Sequence, residues 1–289
     1  MTADQSTIYP VYPASMVNIT NKCTLRCKHC FVFREDNPND PKEEMDTETM
    51  LRTLAELQDR HRIGTMVWMG GEPLLRPDVL REGVKIFPKN HVTTNGTIDL
   101  IDLPNSLYVI SIDGPPDVND PIRGKGSFAR VMDTLSRVPP PEEFGPTVMA
   151  QCVVTKTNED RIEELVELLM PTRIEGMTFS FYVPPKDDTS DMTWGTLERR
   201  DKAVKEALRL KEKHQSFIWN SRRNLELMLS DSAKAITDDC PVKKIMLPLY
   251  LEGDRFVQPF CCYGNDVDCD LCGAWVVFYI AEKMEAGSR

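Results

Sequence analysis

Three cysteines fall within eight residues in the segment Cys23-Thr-Leu-Arg-Cys27-Lys-His-Cys30. Thiolates are soft ligands that select zinc or iron–sulfur clusters. A structural zinc site takes four ligands. Here there are three thiols, and His29 sits next to Cys30, where two adjacent side chains rarely converge on one ion. A cubane cluster asks for one ligand per iron, so three cysteines leave one iron open to bind something else. The spacing points to a cluster that takes part in chemistry rather than one that only carries electrons. A second group lies near the other end of the chain: Cys240, Cys261, Cys262, Cys269 and Cys272. The ninth cysteine, Cys152, stands alone in the apolar, β-branched run VMAQCVVT and reads as a buried free thiol in a strand.

Composition narrows the classes. The chain has 289 residues, enough for one large domain or a domain with a small appendage. Its formal net charge of −10 argues against a nucleic-acid backbone as partner, since no basic stripe is present. The polar start MTADQSTIYP is not a signal peptide, and no apolar run is long enough for a membrane span. A cytoplasmic protein is expected. In that reducing compartment clustered thiols read as metal ligands rather than disulfides.

The elements that must position these cysteines alternate between strand and helix patterns. Strands are predicted at 15–20, 63–69, 91–94, 107–112, 147–155 and 176–183. Helices are predicted at 47–60, with Asp46 as N-cap, and at 77–87, 127–138 and 159–170. A long loop is expected after residue 112. Six strands alternating with helices imply parallel βα units, curled by right-handed crossovers into a barrel or part of one. The strand C-terminal ends carry the unusual residues, and that rim is where chemistry collects in βα barrels. Beyond Lys186 the pattern changes. Helices are predicted at 196–214 and 217–230. Residues 247–251 and 255–260 then read as a hairpin turning at Glu252-Gly253-Asp254. The expected organisation is a core over 1–186, a helical connector over 187–239 and a cysteine-rich extension over 240–289.

The segment Cys-x3-Cys-x2-Cys after a first strand resembles the signature of the radical S-adenosylmethionine (SAM) enzymes. Four further segments follow in that family's order. They are Gly70-Gly71-Glu72-Pro73, Thr93-Thr94-Asn95-Gly96, Ser111-Ile112-Asp113-Gly114, and the run from Asn119-Asp120 through Arg123 to Gly126-Ser127-Phe128. The resemblance spans roughly residues 15–183. It implies an α/β fold, a partial (βα)6 barrel. It also implies a [4Fe–4S] cluster on Cys23, Cys27 and Cys30 whose open iron chelates SAM. Reductive cleavage of SAM would then yield a 5′-deoxyadenosyl radical. For the SAM site it implies Gly70 and Gly71, glycines that let the backbone approach the methionine part, and Glu72, an acceptor for its ammonium. Arg123 could pair with its carboxylate, Asn95 and Ser111 with the ribose or carboxylate, and His29 could pack beside the adenine. A flavodoxin- or ferredoxin-type electron donor is implied as well.

The tail resembles a shortened SPASM or twitch extension, in which a hairpin between cysteines holds an auxiliary [4Fe–4S] cluster. The resemblance implies Cys240, Cys269, Cys272 and one of Cys261 or Cys262 as ligands, with Cys261 preferred. Cys262 would then be a packing residue or a hydrogen-atom donor to a substrate radical. A structural zinc site is the other reading of this tail. The expected activity is hydrogen abstraction from a small polar natural-product-type metabolite or a peptide. Oxidation, epimerisation, decarboxylation and carbon–carbon bond formation are all open outcomes. Only 22 residues precede Cys23, so no leader-gripping domain is expected there, and a peptide substrate would call for a separate leader-binding partner. From another class, a non-catalytic metal-binding or electron-transfer protein is the alternative. The three-ligand first site and the Gly-Gly-Glu-Pro segment speak against it.

Overall fold

Period-two alternation builds the frame, because successive strand residues point to opposite faces. The computed structural model describes residues 9–32, 44–258 and 266–287. Six strands are parallel neighbours in chain order: β1 (Ala14–Asn18), β2 (Thr65–Met69), β3 (Lys89–Thr94), β4 (Ser106–Ser111), β5 (Thr147–Val154) and β6 (Gly176–Phe181). One set of alternating side chains, including Val17, Met66, Trp68, Val92, Tyr108, Ile110, Val148, Ala150 and Cys152, is buried in the main apolar core. The other set lines an inner cavity. The sheet curls without closing, as a partial barrel should.

Helices cover the outer face. α1 (Thr47–His61) begins where the sequence indicates: the Asp46 carboxylate accepts from the Thr49 N–H at 2.9 Å. Its Met50 and Leu54 are fully buried. α2 (Pro77–Gly83) fits closely under β2, since a Cβ on Gly83 would stand 2.3 Å from the Trp68 ring. α3 (Pro116–Arg123) is a correction, because a long loop is expected there. Gly114, two prolines before Asp117 and an internal Pro121 all read as loop punctuation. Yet proline is well suited to the first turn of a helix, and α3 opens on Pro116. α4 (Ser127–Arg137) and α5 (Ile162–Leu169) complete the outer layer.

The second half departs further from expectation. α6 (Leu197–Lys213) answers to the helix predicted over 196–214, and the Thr196 hydroxyl caps it by accepting from Arg199 N–H at 3.3 Å. The helix expected over 217–230 does not form as one unit. Ile218 instead bridges to Met177 beside β6, and two shorter helices follow, α7 (Arg222–Glu226) and α8 (Ser230–Asp238). Bonding to the free edge of β6 gives the Phe217–Trp219 backbone an alternative to helix. The single turn α9 (Val242–Ile245) leads into the hairpin of β7 (Met246–Glu252) and β8 (Arg255–Val257). β7 is not confined to a separate appendage: it pairs in parallel with β1, giving the order β6-β5-β4-β3-β2-β1-β7-β8. The Ser15 hydroxyl adds a bond to Leu247 O across this junction at 2.8 Å. α10 (Trp275–Gly287) lies along β6, its first N–H donating to the Ser180 hydroxyl at 3.1 Å. No helix among the described residues is long and apolar enough to cross a membrane.

Candidate functional site

The loop after β1 carries Cys23, Cys27 and Cys30, and the loop after β2 carries Gly70 and Gly71. These two loops are locked together by backbone. Gly71 N–H donates to Thr20 O at 2.7 Å and Glu72 N–H to Lys22 O at 2.8 Å. A Cβ on Gly71 would stand 2.3 Å from Lys22 O, and one on Gly70 2.4 Å from Thr20 O. The glycines are therefore needed for the cysteine loop itself to approach. This differs from the sequence expectation, which placed a ligand in that space, although both glycines still line the cavity.

Glu72 also differs from expectation. Its carboxylate is fully enclosed and does not line the cavity. It accepts from Leu74 N–H at 3.0 Å, the Thr94 hydroxyl at 2.7 Å and Asn95 N–H at 2.8 Å. Burial pushes its pKa up to about 7 in spite of these donors. Glu72 is an internal brace that ties the end of β2 to the end of β3. Asn95, so placed, turns its amide to the cysteine loop, donating to Thr24 Oγ1 at 3.0 Å and lying 3.6 Å from Cys23 Sγ.

Asp113 is the residue that sequence reasoning passed over in favour of Ser111. It has no solvent exposure, and one carboxylate oxygen, Oδ2, stands 2.7 Å from His29 Nε2 and 2.6 Å from Arg123 Nε. The other oxygen accepts from Val153 N–H at 2.9 Å. Burial alone would raise its pKa, but the Arg123 charge and His29 outweigh that and hold the carboxyl well below the usual range. The His29 ring and the Arg123 guanidinium, expected to meet adenine and a SAM carboxylate, thus both converge on Asp113. α3 makes this possible. Asn119 accepts from Asp113 N–H at 2.9 Å, Asp120 caps the start of α4 through Phe128 N–H at 2.9 Å, and Arg123 is the last residue of the helix. The signal was present in the Ser-x-Asp-Gly and Asn-Asp spacing, but nothing local assigned the aspartate a partner.

A cavity of about 830 Å³ occupies the inside of the curled sheet. Cys23, Cys27 and Cys30 line it together with His29, Gly70, Gly71, Asn95, Ser111 and Arg123. Burial raises the Cys23 thiol pKa and pushes that of Cys27 up to about 11, the latter opposed by Arg123. The described members of the second cysteine group, Cys240, Cys269 and Cys272, line the same cavity. Cys261 and Cys262 lie outside the described residues. Among the described residues no three His, Cys, Asp or Glu side chains close on one ion-sized point. The rest of the wall is mostly apolar, with Met16, Val67, Leu107, Val109 and Met149, and with His91, Gln151 and Thr178 among its polar points. No Asp or Glu among the described residues lines it, although the chain carries 45 of them. Cys152 faces away, fully buried in the core.

The donor set fits the groups that the sequence suggests. Three thiols in one loop line a mostly apolar cavity whose wall also carries amide and hydroxyl groups. A model described as the radical SAM superfamily matches residues 17–169. The chain is 30% identical over 167 residues to pre-heme d1 synthase of Dinoroseobacter shibae, covering 54% of this chain and 40% of that protein. It is 26% identical over 254 residues to Fe-coproporphyrin III synthase of Methanosarcina barkeri, covering 83% of this chain and 57% of that one. The chain thus spans well under two thirds of the length of these relatives. In fold it resembles SuiB of Streptococcus suis. The likeness to SuiB bound to S-adenosylmethionine has TM-score 0.60 at 17% identity, covering 84% of this chain and 59% of that one. The likeness to SuiB bound to the precursor peptide SuiA has TM-score 0.63 at 14% identity, covering 94% and 65%.

Proposed function

This chain belongs to the radical SAM superfamily of enzymes, and from that premise we propose that its two cysteine groups serve one reaction chamber. The observation that supports this most is that all six described cysteines of the two groups border a single cavity. Family membership implies a [4Fe–4S] cluster and SAM. When bound, they supply an electron to the SAM sulfonium and a 5′-deoxyadenosyl radical that abstracts hydrogen from substrate.

The chain's own residues would do the rest. Cys23, Cys27 and Cys30 hold the cluster. The Gly70 and Gly71 backbone, Asn95 and Ser111 form the wall beside it and orient SAM. Arg123 and His29 enter with their positions fixed by Asp113. Cys240, Cys269, Cys272 and one of Cys261 or Cys262 hold a second centre at the other side of the chamber, an auxiliary [4Fe–4S] cluster in our reading and zinc in the alternative. The apolar residues of the wall limit the access of water to the radical.

The substrate is a small polar metabolite or a peptide, and reduced flavodoxin or ferredoxin is the class of electron donor. Among the described residues the wall carries no carboxylate to balance a cation, which favours a substrate whose body is neutral or anionic. Peptide maturation with a separate leader-binding partner is the neighbouring reading, and a SuiB-like fold is compatible with it.

The test is anaerobic reconstitution followed by SAM and dithionite. We expect 5′-deoxyadenosine to accumulate, and Cys27→Ala to abolish it while metal at the C-terminal cysteines stays bound. A fully iron-loaded protein that makes none would refute the assignment. A screen for SAM-dependent mass change, run separately on metabolites and on peptides, divides the substrate classes.

A further inference from the structure

Arg200 on α6 is a buried cation with no ion-pair partner among the described residues. The residue is 2% exposed. Nη1 donates to Leu271 O at 3.1 Å and Cys272 O at 3.0 Å, and Nη2 to Met228 O at 2.8 Å. Nε is buried without a hydrogen-bond partner. Among the described residues no carboxylate oxygen comes within the 4.0 Å that defines an ion pair with it. The adjacent Asp201 is turned away, accepting from Ser230 N–H at 2.9 Å and from the Ser230 hydroxyl at 2.6 Å. The Phe181 ring lies 5.8 Å from the guanidinium carbon.

Carbonyl oxygens satisfy N–H donors but do not neutralise a charge, and a buried unpaired charge is strongly destabilising. A methionine would fill the same space without that penalty. The position of the charge suggests what offsets it. The carbonyls of Leu271 and Cys272 belong to the Cys269-Asp-Leu-Cys272 turn, a single 3-10 turn closed by Cys272 N–H donating to Cys269 O at 3.2 Å. Both cysteines of that turn border the cavity. Four thiolates around a zinc ion or an oxidised cubane leave a net negative charge on the assembly. A fixed guanidinium directly behind the turn is placed to balance it.

We propose that Arg200 is the built-in counter-ion of a thiolate metal centre at the Cys269–Cys272 turn, a positioning residue that clamps the turn and offsets the negative charge of its thiolates. The inference rests on the second-centre reading above. Arg200 touches no reacting atom. Its effect reaches the centre through the backbone of Leu271 and Cys272 and through its charge.

The experiment isolates that centre in the full chain by the triple change C23A/C27A/C30A. This parent and its Arg200→Gln and Arg200→Lys derivatives are reconstituted anaerobically, with iron and sulfide or with zinc alone, and metal release to excess chelator is timed. Removing the charge should speed release by about tenfold or more, the range seen when groups supporting metal ligands are lost. Arg200→Lys keeps the charge with a poorer clamp and should stay near the parent. In the iron form, Arg200→Gln should also lower the reduction potential and Arg200→Lys should not. Equal release from parent and Arg200→Gln would overturn the inference. So would equal acceleration in both derivatives, which would make Arg200 a clamp whose charge is immaterial. A triple-change parent that holds neither metal fails the second-centre reading itself, and this inference falls with it.

Discussion

Asp113→Asn is the perturbation that tests the site most sharply. The substitution keeps shape and the Oδ1 acceptor for Val153 N–H, but removes the charge that faces Arg123 at 2.6 Å and His29 at 2.7 Å. The side chains of Arg123 and Asp113 are only 8% and 0% exposed, so solvent does not screen the loss. Breaking a buried pair by removing one partner destabilises by about 3–5 kcal/mol, because the other charge is left buried and uncompensated. The measure is equilibrium urea denaturation of the metal-free chain at neutral pH. Arg123→Gln and the double variant complete the cycle. If the orphaned charge dominates, the double variant should be less destabilised than the summed singles by about 2–3 kcal/mol. The pH dependence has a defined sign. Asp113 is held below its ordinary pKa of 3.8, so its stabilisation is fully present above that value and is lost as pH falls below it. Asp113→Asn should flatten that acid limb. His29 sits between Cys27 and Cys30, so the variant should also load less iron at the N-terminal cysteines. A loss under about 1 kcal/mol, or single losses that simply add, would refute the claim that one carboxylate holds both Arg123 and His29.

Three further outcomes follow from the geometry. Gly71→Ala places a methyl 2.3 Å from Lys22 O, a backbone atom that cannot step aside; stability should fall by more than about 2 kcal/mol, with iron loading, as expected for overpacking. Gly253→Ala meets nothing within 4 Å and carries only the strain of φ +61, so it should lose about 1 kcal/mol and load iron normally. Glu72 titrates in the opposite sense to Asp113: with a folded pKa of about 7 against an ordinary 4.5, its stabilisation is full below 4.5 and is lost as pH rises through 7. Urea midpoints across that window should decline with pH in the parent and less steeply in Glu72→Gln, and parallel declines would exclude Glu72 as the source.

What the sequence determined on its own is local in origin. The Cys-x3-Cys-x2-Cys spacing, the six strands and the Asp46 cap each arise from residues a few positions apart. Alternation and helical spacing are properties of a short window, so they can be read without the fold. The same locality explains the misreadings. Pro121 and Gly114 signalled a loop where α3 forms, because a helix opening on proline looks like turn punctuation until its neighbours are known. The apolar stretch around Ile218 read as helix until Met177, 41 positions earlier in the chain, offered it a strand edge. Tertiary structure alone decided the rest. It set β7 beside β1, with Ser15 and Leu247 joined across 232 positions. It gave Asp113 its contacts with Arg123 and His29, enclosed Glu72 as a brace, and brought cysteines from both ends of the chain to one cavity. The residues concerned could be singled out in the sequence but not their partners, because burial and pairing over such separations depend on how the sheet curls, and that is settled by the packing of the whole chain.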